Sequence, residues 1–122
     1  MAIQLKRVYE PPEETDGERL LVDRLWPRGV RKDGVRLSGW LKDLAPSDEL
    51  RRWFAHDRSR WLVFQERYRA ELGAADKALL VQELARKARN QQITLLYAAH
   101  DQSRNNAVVL KEVVEEVIQP GG

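Results

Sequence analysis

A carboxylate, two guanidiniums and an indole follow one another in Asp23-Arg24-Leu25-Trp26-Pro27-Arg28, and a second polar set, His100-Asp101 with Arg104 and Asn105, stands near the other end of the chain. Guanidinium forks pair bidentately with phosphate or carboxylate, and an imidazole beside a carboxylate can move a proton near neutral pH. These residue types predict a site for a small anionic ligand, phosphorylated or carboxylated. Arg24, Arg28, Arg51, Arg104 and Asn105 are the candidates for holding it, Trp26 and Trp40 for walling it, and Asp23, His100 and Asp101 for acid-base catalysis. Two plainer readings stand beside this one: Asp23 could pin its loop by pairing with Arg24 or Arg28, and Asn105 could simply cap a helix.

Other chemistries fit the sequence poorly. There is no cysteine, so a thiolate nucleophile, zinc-thiolate ligation and a disulfide framework are excluded. Neither G-x-x-x-x-G-K-[ST] nor G-x-G-x-x-G occurs, and no serine lies in a nucleophile-elbow context. The dipeptides His56-Asp57 and His100-Asp101 could suggest a metal. Adjacent residues seldom converge on one ion, however, and His56 and Asp57 are accounted for as a helix end and the cap of the next helix. The expectation is no metal and no cofactor.

Positioning these residues requires strands that end where the polar sets begin. Ile3 to Tyr9 alternates and reads as a strand, Glu10 to Gly17 as an acidic loop, and Arg19 to Leu25 as a second strand. The unbroken Leu20-Leu21-Val22 suits a strand covered on both faces. Ser38 to Asp43 reads as a short third strand or extended arm. Ser47 is a natural cap for a helix over Asp48 to Phe54; a second helix, carrying Trp61, Phe64, Tyr68 and Leu72, stops at Gly73. A third starts from a cap at Asp76 with Leu80, Leu84 and Ala88 on one face. Ile93 to Ala99 is a buried strand, and a last helix with a valine-rich stripe is capped by Asn105 or Asn106. The order predicts a single α/β domain over residues 1–122, with a mostly parallel central sheet of three to four strands flanked by helices. Ligands of such sheets bind beyond the strands' carboxyl ends, which would bring Asp23 and Asp101 to one edge.

A net charge of +2 over 122 residues is too mild to imply nucleic acid. Its distribution is more telling. Lys and Arg number 3 against 6 acidic residues over 1–23, 10 against 5 over 24–60, and 8 against 8 over 61–122. All four tryptophans, Trp26, Trp40, Trp53 and Trp61, fall in or beside the basic segment. Trp53 and Trp61 read as core, while Trp26 and Trp40 flank polar loops. No signal-peptide core or membrane-length apolar run is present, so the expected setting is the cytoplasm, with no membrane partner.

The chain also resembles the YeaO-like group of the domain of unknown function 488 family. The resemblance is carried by Arg7-Val8-Tyr9 with Pro11-Pro12, by Leu21 to Gly29, by Trp40 to Ser47, by Leu50-Arg51 with Trp53-Phe54 and His56-Asp57, and by Thr94 to Ala99. It implies an α/β fold with a parallel sheet and brings no established activity with it. Other branches of that family carry a Cys-His-Arg ending after the last strand, and YeaO-like relatives often show Asn-His-Ala; here the segment reads Asn105-Asn106-Ala107 with no thiol.

Taken together, these residues argue for anion binding first, with acid-base turnover an open addition. The competing reading is a non-catalytic module that meets nucleic acid or protein through the basic loop 28–42 and Trp40; nucleic acid is the less favoured partner because five excess positive charges make a small footprint.

Overall fold

Residues 3–119 are described by a computed structural model. Among the described residues four strands, β1 (Ile3–Arg7), β2 (Glu18–Leu21), β3 (Gly39–Trp40) and β4 (Ile93–Tyr97), form one sheet in the order β1-β4-β2-β3. Every pairing is parallel. Ile3 is level with Ile93 and Leu5 with Leu95, while Leu20 faces Leu95 from the other side, so β4 is flanked by neighbours along its whole length. All five of its residues are buried, as expected of a central parallel strand.

Side-chain alternation divides the buried residues into two cores. Ile3, Leu20, Val22, Ile93, Leu95 and Tyr97 point to the side that the helices cover. Val8, Leu21 and Leu96 point to the other side, where they meet Val35 and the partly buried Trp26, Val30 and Leu37. The run Leu20-Leu21-Val22 is therefore apolar throughout because both faces of β2 are covered. Among the described residues only one face is covered by α-helices. The connections β1 to β2 and β2 to β3 contain no α-helix, and these loops lie over the second face.

Beneath them is a buried ionic cluster. Asp16 is fully buried and accepts from Lys6 Nζ at 3.0 and 3.1 Å, from Arg19 Nη1 at 2.5 Å and from the Glu13 N–H at 3.0 Å. Thr94 Oγ1 donates to the Asp16 carbonyl, and the Arg19 guanidinium reaches Val35 O from Nε and Nη2. Burial alone would raise the Asp16 pKa, but the hydrogen bonds from Glu13, Lys6 and Arg19 outweigh it and hold the carboxyl below its ordinary range. Gly17 then turns with φ of 64°, against the Gln92 carbonyl; a Cβ there would come within 2.1 Å of that oxygen, so only glycine fits.

Helix α1 (Asp48–Phe54) begins as its sequence demands: Ser47 Oγ accepts from Leu50 N at 3.1 Å, and Asp48 and Glu49 occupy the first turn. A 3-10 turn at Arg58–Arg60 leads into α2 (Trp61–Leu72), which buries Phe64, Tyr68 and Leu72. Tyr68 donates to Leu44 O at 2.5 Å and so fastens the segment before α1 to α2. Helix α3 (Ala75–Asn90) departs from expectation at its start: Ala74 occupies the cap without a side-chain bond, and Asp76 lies in the first turn. Its buried face is Val81, Leu84, Ala85 and Ala88, while Leu80 is exposed. Helix α4 (Asn106–Ile118) is capped by Asn105, whose Oδ1 accepts from Val108 N at 3.1 Å.

The strands are shorter than the sequence suggested. The second ends at Leu21 rather than Leu25, because Val22 makes one last ladder bond to Leu96 O and Asp23 then turns to serve side-chain partners. Among the described residues no helix is long and apolar enough to cross a membrane.

Candidate functional site

Beyond the carboxyl ends of β2 and β4 lies an open cleft of about 800 Å³. Its floor is the pair of strand exits, Asp23-Arg24 and Ala98-Ala99. One wall is the end of α1 and the turn after it, and the other is the β4-to-α4 loop with the first residue of α4. This is the crevice where open parallel sheets bind ligands.

Asp23 sits at the centre and is held on both oxygens. Oδ2 accepts from the Ala98 N–H at 2.9 Å, and Oδ1 from Asn106 Nδ2 at 3.2 Å. Burial pushes its carboxyl above the usual range, opposed by those two hydrogen bonds and by the nearby His56. The plainer expectation of an ion pair with Arg24 or Arg28 is not met: Asp23 is fixed by an amide and a backbone N–H instead.

The guanidiniums are placed by a relay of backbone contacts. Glu71 on α2 accepts from Ser47 N at 2.8 Å and from Ser47 Oγ at 2.6 Å, which holds the start of α1. The adjoining Pro46 carbonyl accepts from Arg24 Nε at 2.8 Å, so one edge of the Arg24 fork is anchored. Arg51 meets Asp48 through Nη2 at 3.3 Å, while its Nε is buried without a hydrogen-bond partner among the described residues. A buried N–H without an acceptor is costly, and this one stands out among the cleft's guanidiniums for that reason. Arg28 and Arg52 also line the cleft, and neither they nor Arg24 have a carboxylate within ion-pairing distance among the described residues.

On the far wall, Asp101 is a turn-former. Its Oδ1 accepts from Ser103 N at 2.9 Å and Arg104 N at 3.0 Å. The Ser103 bond, against the opposing effect of burial, then the Arg104 bond and the charges of Arg104 and Arg58 hold its carboxyl below the usual range. Arg58 reaches it across the cleft from the turn before α2, at 3.5 Å.

Of the residues picked out in the sequence, Asp23, Arg24, Trp26, Arg28, Arg51, His100, Asp101 and Asn105 line this one cleft. Trp40 and Arg104 do not. Trp40 borders a second groove beside α3, although its Nε1 donates to the Asp23 carbonyl at 2.7 Å and its ring meets Trp26 edge-on at 5.5 Å. It supports the strand exit from behind. Arg104 pairs with Asp101 at 3.7 Å outside the lining. Asn105 lines the cleft, but its side chain is occupied: Oδ1 caps α4 and Nδ2 donates to Asp101 O at 2.9 Å.

The sequence reading missed Tyr9, Arg52, Arg58 and Asn106, while His56, read first as a helix end and second to His100 as an acid or base, also lines the cleft. His56 and the preceding Ala55 both adopt left-handed backbone, with φ of 58° and 45°. Two successive non-glycine residues in that region are strained, and such strain collects at functional sites. The available signal was the doubling of Asn105-Asn106: one amide suffices to cap a helix, which leaves the second free for another task. Among the described residues no three His, Asp or Glu side chains gather as a metal cluster would require.

A family model described as "Inactive DUF488-N3 subclade" matches residues 2–120. The chain is 45% identical over 112 residues to a protein of Escherichia coli strain K12 named uncharacterized protein YeaO, an alignment covering 92% of this chain and 96% of that one. It is 41% identical over 112 residues to uncharacterized protein Rv3073c of Mycobacterium tuberculosis H37Rv, covering 92% of each. No solved structure matches it at a significant level.

Proposed function

This chain belongs to the DUF488-N3 family, in the subclade described as inactive, and from that premise we propose that it binds a small phosphorylated or carboxylated ligand in the cleft beyond β2 and β4 without turning it over. The observation that carries the reading is the convergence of Arg24, Arg28, Arg51 and Arg52 on one open cleft, three of them without a carboxylate partner among the described residues. Guanidiniums left unpaired in a concave site attract anions and fix their orientation.

Binding is favoured over chemistry by the state of the carboxylates. A general base must be able to turn an oxygen toward the substrate's proton, and a carboxylate pinned by hydrogen bonds on both oxygens is held in place. Asp23 already accepts on both oxygens, and Asp101 Oδ1 accepts two backbone N–H groups while Oδ2 faces Arg58 and Arg104. The imidazoles of His56 and His100 also line the cleft, and here they serve as further donors to the anion. The compartment that goes with this reading is the cytoplasm, where phosphorylated small molecules abound. The basic loop 28–42 is less suited to nucleic acid, because Arg31 turns to Asp33 at 3.5 Å and Lys32 lies over the Trp26 ring at 5.8 Å.

Thermal unfolding in the presence of phosphate, pyrophosphate and citrate tests the proposal. A concentration-dependent rise in midpoint for the wild type, reduced in Arg24→Ala and Arg28→Ala, is the expected outcome. No rise with any of the three anions at matched ionic strength, or equal rises in both variants, would sink it.

A further inference from the structure

The cleft is larger and more varied than a single phosphate requires. We infer that its ligand is a flat-ringed diphosphate of the nucleoside diphosphate class, the phosphates held by Arg24, Arg28 and Arg52 and the ring stacked at the cleft mouth on Tyr9. The inference rests on the anion-binding reading and narrows it. A volume of about 800 Å³ lies in the range of sites that enclose whole metabolites. Five guanidiniums, Arg24, Arg28, Arg51, Arg52 and Arg58, face only two carboxylates, Asp23 and Asp101, and the ion pairs Arg58–Asp101 and Arg51–Asp48 leave three arginines uncompensated among the described residues. Three free guanidiniums match the charge of a diphosphate better than that of a monophosphate or a single carboxylate.

Tyr9 supplies the second half of the argument. Its hydroxyl donates to the Arg28 carbonyl at 2.9 Å, and the Arg7 guanidinium sits over its ring at 4.8 Å. Arg7 is itself fixed, donating to Ala99 O at 2.9 Å and Ala98 O at 3.0 Å. The phenol is thus immobilised by groups on β1 and on the loop that carries Arg28, yet it remains 47% exposed on the cleft wall. A large ring held rigid and left half exposed is a ready stacking platform, since its conformational entropy is already spent. Tyr9 and Arg28 are also joined by their hydrogen bond, which places a ring-binding surface beside a phosphate-binding fork. His56 also lines the cleft and is exposed, with left-handed backbone at Ala55 and His56.

Isothermal titration with adenosine diphosphate, uridine diphosphate, pyrophosphate and adenosine, at one ionic strength, tests the inference. Both nucleoside diphosphates are expected to bind about tenfold or more tightly than pyrophosphate, with adenosine weakest of the four. Tyr9→Ala should abolish the advantage of the nucleotides over pyrophosphate, Tyr9→Phe should keep it, and Arg28→Ala should weaken nucleotides and pyrophosphate alike. Pyrophosphate binding as tightly as the nucleotides, or a nucleotide advantage that survives Tyr9→Ala, overturns the ring assignment while anion binding stands. Absence of binding by all four probes overturns the inference, and if phosphate and citrate also fail to stabilise the fold, the broader reading falls with it.

Discussion

Asn106 Nδ2 donates to Asp23 Oδ1 at 3.2 Å and to the Val22 carbonyl at 2.9 Å, tying the first residue of α4 to the exit of β2. One amide therefore fixes both the last backbone turn of the strand and the carboxylate at the centre of the cleft. Asn106→Ala removes both bonds and leaves two partly buried acceptors without this donor. We expect it to cost about 1–3 kcal/mol of stability, measured by urea unfolding, with anion affinity falling as Asp23 loosens. A change below a few tenths of a kcal/mol would show that the contact is incidental.

Asp23 should also leave a mark on the pH dependence of stability. Its folded carboxyl is raised above the ordinary value of 3.8 by burial, so the folded state holds the proton more tightly than the unfolded chain does. Stability from this group is present at low pH and is lost as pH rises from about 3.8 through the folded value. The stability of wild type relative to Asp23→Asn should accordingly decline with rising pH across the acid range and level off toward neutrality. Parallel curves for the two proteins over that range would contradict the shift.

The Lys6–Asp16–Arg19 cluster has the opposite acid response. Asp16 is held below its ordinary 3.8, so its contribution is present above that value and is lost as pH falls through the depressed folded value. For Lys6, burial works against the charge, but the bonds to Glu13 and Asp16 prevail and hold its pKa above 10.5; that contribution is present below 10.5 and lost as pH rises through the raised value. Asp16→Ala leaves the buried Arg19 without a carboxylate and Lys6 with Glu13 alone, and a loss of about 3–5 kcal/mol is expected in denaturant unfolding at neutral pH. The cleft lies elsewhere, so any variant that still folds should keep its anion affinity.

Ala55 has φ of 45° at the end of α1, where glycine is the usual residue. Ala55→Gly relieves the left-handed strain and is expected to stabilise the protein by about 0.5–1 kcal/mol in thermal unfolding. The same change frees the segment that carries His56, so ligand affinity should fall or stay level while the unfolding midpoint rises. A lower midpoint would place the determinant of this turn elsewhere.

Much of the architecture could be read from local patterns. Ser47 with Asp48 and Glu49 marks the start of α1, Asn105 marks that of α4, and the unbroken apolar run at Leu20–Val22 and the mostly apolar Ile93–Tyr97 mark strands covered on both faces. These signals act over a few residues, which is why they are visible without the fold. The cap at Ala74 was misplaced to Asp76 because that helix start uses no side-chain bond at all. The loops over the second face were equally hard to foresee: they are polar along most of their length and contribute only isolated apolar residues such as Val35 to the core.

The candidate site divides in the same way. By itself, the sequence determined that Asp23, Arg24 and Arg28 follow a buried strand, that His100 and Asp101 follow another, and that parallel pairing would bring both exits to one edge. Only the tertiary structure decided which polar groups are spent and which remain free. Asp23 is bound by Ala98 N and Asn106, Asn105 is consumed as a cap, Trp40 lies behind the strand exit, and Tyr9 and Arg52 join the cleft unannounced. The reason is physical. Residue type sets what a side chain can donate, accept or stack upon, but whether that capacity is already satisfied depends on partners that only the folded chain brings within reach, as with Asp23 and Asn106.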